Sequence, residues 1–327
     1  MCIRDRDGIG DPDTADILRC HVAARADPAT GFGVAGDGGG VTETVVRMSG
    51  DSDLLGVLSR PNRTNGPEVG ALLLDVGLTY RAGPNRLYVR IARLLAAQGI
   101  PTLRFDFSGV GDSPPRSDLL PFSESGPLET VRAMDWMREE LGIQRLLLIG
   151  FCSGANVAFR TAVRDMRVAG IGLLNHRSLE ADEYSDLRSM AESYGTLGAV
   201  ASSSRWWRAI SGRTDYRAVF RSLMAAAVVL LRGQAQSHQA SEVARDFRAL
   251  STRGTAIGLF FAENEFGRRY LKLALGRDYD DLIRAPAVSE HIIPRSDHLF
   301  TSAKSQKLLL DQLDSWARSV TARNEAR

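Results

Sequence analysis

The sequence predicts an α/β chain built on a doubly wound, mostly parallel sheet, and three observations carry that expectation. Short apolar runs such as Leu146–Ile149 lack the polar alternation of a one-faced sheet, as strands covered on both faces do. Segments with apolar residues at helical spacing lie between these runs, so strand and helix alternate along most of the chain. A length of 327 residues, 44% hydrophobic and 24% charged, suffices for one large core plus an insertion.

Composition narrows the partners. A net charge of +2 favours neither nucleic acid nor a membrane surface. Only Lys272, Lys304 and Lys307 are lysines, so arginine carries almost all the positive charge, a bias that reads as genomic base composition. Cys2, Cys20 and Cys152 are too scattered for a disulfide framework or a zinc site, and a reducing, cytoplasmic setting is the simplest expectation. The longest apolar stretch, Leu223–Leu231, falls short of the ~18 residues a spanning helix needs, and no signal-peptide pattern opens the chain.

Taken in order, residues 1–40 are rich in Gly, Asp and Ala without periodicity and are expected to form a disordered extension. Val41–Met48 and the run from Leu54, ending in a turn through Pro61–Gly66, predict an antiparallel edge hairpin. Val69–Val76 is a buried strand that runs into the loop Gly77–Pro84. Leu87, Ile91, Leu94 and Leu95 mark one face of a helix that stops at Gly99. Pro101–Phe107 is a further strand, followed by a glycine loop over Ser108–Ser113 that lacks both a P-loop lysine and a G-x-G-x-x-G pattern, so no cofactor is expected there. Asp106 and Asp112 are expected to brace it. Pro127–Leu141 reads as a helix, and Val168–Asn175 as the strand after the central one.

Strand–helix alternation then fails until about Arg253, which predicts a helical cap over 177–253 between a first core part, 41–176, and a second, 254–327. Trp206, Trp207, Tyr216 and Phe220, interleaved with arginines, are expected to be faces of the cap helices more often than a ligand wall. Thr255–Phe261 and Ala287–Ile293 complete the sheet, and Leu309, Leu313, Trp316 and Val320 give the last helix its buried stripe.

Chemistry is expected at Gly150-Phe151-Cys152-Ser153-Gly154, where a buried strand turns sharply into a helix. A nucleophile on such a turn needs small residues two places before and two after it, and Gly150 and Gly154 put Cys152 in that position. Centring the turn on Ser153 would require Phe151 and Ala155 in those places, and a phenyl ring does not fit. A thiol at the first turn of a helix also meets the positive end of the dipole, which favours thiolate. Two further groups end later strands: Glu265, with Glu263 as the alternative acid, and His298. Glu180 and Asp182 are weaker rivals as the acid. His176 and His291 are expected to be structural, while His21 and His238 carry no constellation.

The order nucleophile, acid, histidine around a G-x-Cys-x-G corner resembles the α/β-hydrolase fold over residues 41–320. A narrower resemblance is to the bacterial α/β-hydrolases found with exopolysaccharide and exosortase gene clusters. It rests on Val76–Tyr88, Arg104–Ser113, Gly150–Ala155 and Asp297-His298. Dienelactone hydrolases are similar in placing cysteine in the elbow but lack the large helical insertion. The acid is usually aspartate in the wider family, and Glu265 is one methylene longer.

The resemblance implies a Cys152–His298–Glu265 triad acting on an ester, lactone or thioester. His298 would take the Cys152 proton, Glu265 would orient the imidazole, and the backbone N–H groups of Ser153 and Leu78 would form the oxyanion hole. No metal is implied. The expected partner is a small acyl substrate, with an acyl-CoA or a carrier-protein thioester among the candidates. Two other readings stay open: an acyltransferase delivering the acyl group to a saccharide hydroxyl, and an inactive member that binds a ligand beneath the cap.

Overall fold

The computed structural model describes residues 33–35, 40–50, 52–62, 69–75, 79–176, 179 and 242–325. The strands are β1 (Gly33–Ala35), β2 (Val41–Met48), β3 (Leu54–Pro61), β4 (Val69–Leu74), β5 (Thr102–Phe105), β6 (Arg145–Phe151), β7 (Val168–Leu174), β8 (Ala256–Ala262) and β9 (Val288–Ile293). They form one nine-stranded sheet in the order β1, β2, β3, β5, β4, β6, β7, β8, β9. Pairing is antiparallel from β1 through β3 to β5 and parallel from there to β9. The expected β2–β3 hairpin is present, with Val41 opposite Pro61. It is not at the edge, because β1 adds a strand outside it. Those three residues lie within 1–40, a stretch otherwise outside the described residues apart from Gly40.

Among the described residues the α-helices are α1 (Leu87–Ala97), α2 (Phe122–Leu141), α3 (Ser153–Arg164), α4 (residues 242–253), α5 (Phe266–Leu275), α6 (Tyr279–Arg284) and α7 (Ala303–Glu325). Alternate residues of the central strands feed two separate cores. On one face Leu72, Leu148 and Ile171 meet Met134, Phe159 and Phe247; on the other Leu73, Ile149 and Phe260 meet Leu87, Ile91, Leu313 and Trp316. This two-sided burial is why β6 reads as an unbroken apolar run, each fully buried Leu contributing about 1.5–3 kcal/mol.

Two boundaries differ from the sequence reading. Helix α2 starts five residues before Pro127, which lies inside it. Proline cannot donate to the carbonyl four residues back, that of Ser123, and Arg160 of α3 donates to that oxygen instead, at 3.0 Å. The expected cap boundary at Arg253 also includes α4, which packs on the core through Phe247, 5.0 Å from Phe159 between ring centroids. The rest of 177–253, including Glu180, Asp182 and the Trp206–Phe220 segment, lies outside the described residues apart from Leu179, which joins the same core.

Candidate active site

Strand β6 delivers the chain to Cys152, whose backbone has φ 53° and ψ −114°. A non-glycine residue held there costs on the order of 1–3 kcal/mol, and the surrounding bonds keep it in place. Its N–H donates to the Leu174 carbonyl of β7 at 2.9 Å, and its carbonyl accepts from Ala155 at 3.2 Å. The glycine requirement is steric. A Cβ on Gly150 would strike the Gly154 carbonyl, and one on Gly154 would strike the carbonyl of Leu74 in β4. Ser153 is the first residue of α3, where backbone N–H groups have no partner within the helix. Leu78 lies outside the described residues.

The loop that would carry the second oxyanion donor is tied down on its far side. Thr79 donates to buried Asp75 at 2.5 Å, and the Arg81 N–H donates to Asp106 at 2.6 Å. The Arg81 guanidinium pairs with Asp106 and, at 2.6 Å, with Asp112. Asp106 also accepts from the Asp112 N–H at 3.0 Å, so both aspartates brace the glycine loop as expected.

His298 follows β9, and its Nδ1 lies 2.9 Å from Glu265 Oε2. The Glu265 side chain is only 7% exposed, and its other oxygen caps α5 by accepting from the Phe266 N–H at 3.2 Å. Burial pushes the imidazole down, but hydrogen bonds to the Cys152 side chain and to Glu265 outweigh it and raise the ring to about 9. The ring also lies against Phe151, 5.1 Å between centroids. Glu263 points elsewhere, accepting from the Arg295 N–H at 2.8 Å. The structure therefore brings Cys152, His298 and Glu265 together and leaves Glu263 apart.

The two other histidines among the described residues are packed groups. His176 is fully buried, which pushes it down to about 3, and lies 5.0 Å from the Phe261 ring. His291 stacks on Phe260 at 4.6 Å. His21 and His238 fall outside the described residues. Among the described residues no group of three or more His, Cys, Asp and Glu could hold a metal ion, and no helix is long and apolar enough to cross a membrane.

Two residues that support the site were missed from sequence. Asn175, at the end of β7, donates through Nδ2 to the His298 carbonyl at 2.7 Å and accepts the Ala262 N–H on Oδ1 at 2.7 Å. Its signal was an asparagine closing a buried strand, since Asn tolerates left-handed backbone, here φ 42°. Tyr88 in α1 places its hydroxyl between Leu74 and Phe151, at 2.7 and 2.9 Å. A phenol in an otherwise apolar stripe must find a partner, and that was its signal.

No match was found among curated proteins. Solved structures share the fold at low identity. The chain matches the Pyrococcus furiosus esterase with a TM-score of 0.55 at 14% identity, covering 85% of this chain and 91% of that one. It matches proline iminopeptidase from Mycobacterium smegmatis with 0.52 at 15%, covering 86% and 100%. For the mouse alpha/beta hydrolase domain-containing protein 10 the values are 0.51 at 13%, covering 85% and 99%. The family model for the alpha/beta hydrolase fold matches residues 82–261, more than half of the 327-residue chain. By that match and by its sheet, the chain belongs to the α/β-hydrolase fold family.

Proposed function

We propose that the chain is a cysteine-type hydrolase that cleaves an ester, lactone or thioester through an acyl-cysteine intermediate. The observation that carries this reading is His298, whose Nδ1 lies 2.9 Å from Glu265 Oε2 and whose ring is raised to about 9 by Cys152 and Glu265 beside it. Cys152 passes its thiol proton to His298 Nε2 and its Sγ attacks the acyl carbon, and the carbonyl π pair moves onto oxygen, where the Ser153 N–H and a donor from the loop after β4, Leu78, receive it. Collapse breaks the bond to the leaving group, which takes the proton from His298 Nε2. Water then gives a proton to His298 and attacks the thioester carbon, and Sγ departs as thiolate while the acid is released. Glu265 keeps Nδ1 protonated throughout, so Nε2 is the nitrogen that works.

The intermediate is itself a thioester, close in energy to an acyl-CoA, which favours thioesters and activated esters over unactivated amides. Mass spectrometry after incubation with an acyl-CoA tests the reading. An acyl adduct on Cys152 that water discharges is expected, and His298→Ala is expected to slow its formation by about 10²–10⁴. Full reactivity of that variant would sink the role of His298. An adduct discharged mainly by added saccharide would instead make the chain an acyltransferase, in line with its likeness to the exopolysaccharide-associated hydrolases. No adduct would leave a ligand-binding member of the fold.

A further inference from the structure

We infer that the Tyr88 hydroxyl is a spacer inserted between the carboxyl ends of β4 and β6, and that it positions Cys152 relative to the loop after β4. Its role in turnover rests on the reaction proposed above; its role as a spacer does not.

In the parallel pair β4–β6, Leu74 stands opposite Gly150. A parallel ladder runs slanted from the carbonyl of one residue to the N–H just beyond its partner, so the Leu74 carbonyl is due the N–H of Phe151. The Phe151 N–H donates to Tyr88 Oη at 2.9 Å, and Tyr88 donates its own proton to the Leu74 carbonyl at 2.7 Å. Two such bonds meeting near a tetrahedral angle span roughly 4.6 Å, against ~2.9 Å for a direct rung. On this reading the hydroxyl opens the ladder at its last position, one residue before Cys152. Leu74 and Phe151 both keep their hydrogen bonds, so the opening leaves neither backbone group orphaned.

Everything around Tyr88 fixes that hydroxyl. The side chain is fully buried in the first turn of α1, and its N–H donates to the Ala82 carbonyl at 3.0 Å. Gly83, at φ 67°, lies against the ring so closely that a Cβ there would press on it. Burial, then the charge of Asp75, keep the phenol well above its ordinary range, so it stays protonated and keeps its donor on Leu74. On the other side, Gly154 rests on the Leu74 and Asp75 carbonyls. The elbow thus packs directly on the end of β4, at a spacing the hydroxyl sets. In acyl transfer the carbonyl oxygen of the substrate must enter between an elbow and this loop.

The test is Tyr88→Phe, which keeps the ring and deletes the spacer. A crystal structure of the variant is expected to show the Phe151 N–H bonded directly to the Leu74 carbonyl. With a p-nitrophenyl ester, kcat is expected to fall by about 10²-fold with KM changed less than about threefold, as when an oxyanion contact is lost. Alkylation of Cys152 by iodoacetamide needs no oxyanion site and is expected to stay within about twofold of the parent rate. A residue that merely filled space would lower the melting temperature and leave this split unseen. Strand ends that keep their spacing in the variant overturn the spacer, and ends that close with kcat unchanged overturn the positioning role. If the parent turns over no ester, the proposed reaction fails while the crystal structure still judges the spacer. Should Tyr88→Phe not fold, Gly83→Ala displaces the same ring from outside, and an unchanged kcat there overturns the inference.

Discussion

At the scale of single residues, the pair His298 and Glu265 decides the pH behaviour. The imidazole has an ordinary value of 6.5 and is raised to about 9 in the fold, burial opposing the shift and the Cys152 and Glu265 hydrogen bonds producing it. A group raised on folding binds its proton more tightly in the native state, so its contribution to stability is complete below pH 6.5 and is lost as pH climbs through about 9. The stability difference between the parent and His298→Ala is expected to shrink over that window, measured by thermal melts at several pH values. Glu265→Gln removes the carboxylate that faces Nδ1. The His298 midpoint, followed by NMR, is expected to move down from about 9 toward 6.5, and hydrolysis to slow by about 10²–10⁴. A midpoint left near 9 would remove Glu265 from the pair. The extra methylene of glutamate over aspartate is compatible with this geometry, because the carboxylate leaves β8 by way of the cap of α5 and reaches the ring with its second oxygen.

At the scale of elements, the proposed catalytic groups arrive on the ends of β6, β8 and β9, and what was legible in the sequence follows from that. Cys152 was legible because the elbow needs glycine on both sides, and sterics impose that on any chain. His298 and Glu265 were legible as polar residues just past buried strands, with Glu263 kept as the alternative because both lie in one turn, and only Glu265 faces the ring. The clamps were not legible in their roles, because each acts through backbone groups of distant segments. Asn175 meets three demands at once: a left-handed φ, a donor for the His298 carbonyl and an acceptor for the Ala262 N–H. Asp lacks the donor and Gly lacks both groups. Asn175→Gly tolerates the backbone but frees the His298 loop from β8, so a loss of about 1–3 kcal/mol is expected with a lowered His298 midpoint. A melt that shifts without any change in the histidine titration would make Asn175 a purely structural clamp. The early start of α2 was hidden for a similar reason: Pro127 is tolerated only because Arg160, 33 positions further along, serves the freed carbonyl.

At the scale of the whole molecule, one sheet separates two cores that share no side chains, and the site sits along their common edge. Helix α7 closes the second core with Leu309, Leu313, Trp316 and Val320, and it begins only five residues after His298. Trp316 is 4% exposed and meets Phe260 of β8 edge-on, 6.0 Å between ring centroids. Truncating it removes the largest side chain of that helix stripe and leaves a void over β8, a change that costs about 3–5 kcal/mol in well-packed cores. For a domain of this size the melting temperature of Trp316→Ala is expected to fall by on the order of 10 °C. Well below that melt, Cys152 alkylation and its pH dependence are expected to match the parent, because Asn175 and Glu265 hold His298 from β7 and β8 independently of α7. A variant that loses the pH dependence while still folded would show instead that the packing of α7, rather than the polar clamps at the strand ends, sets the position of the histidine.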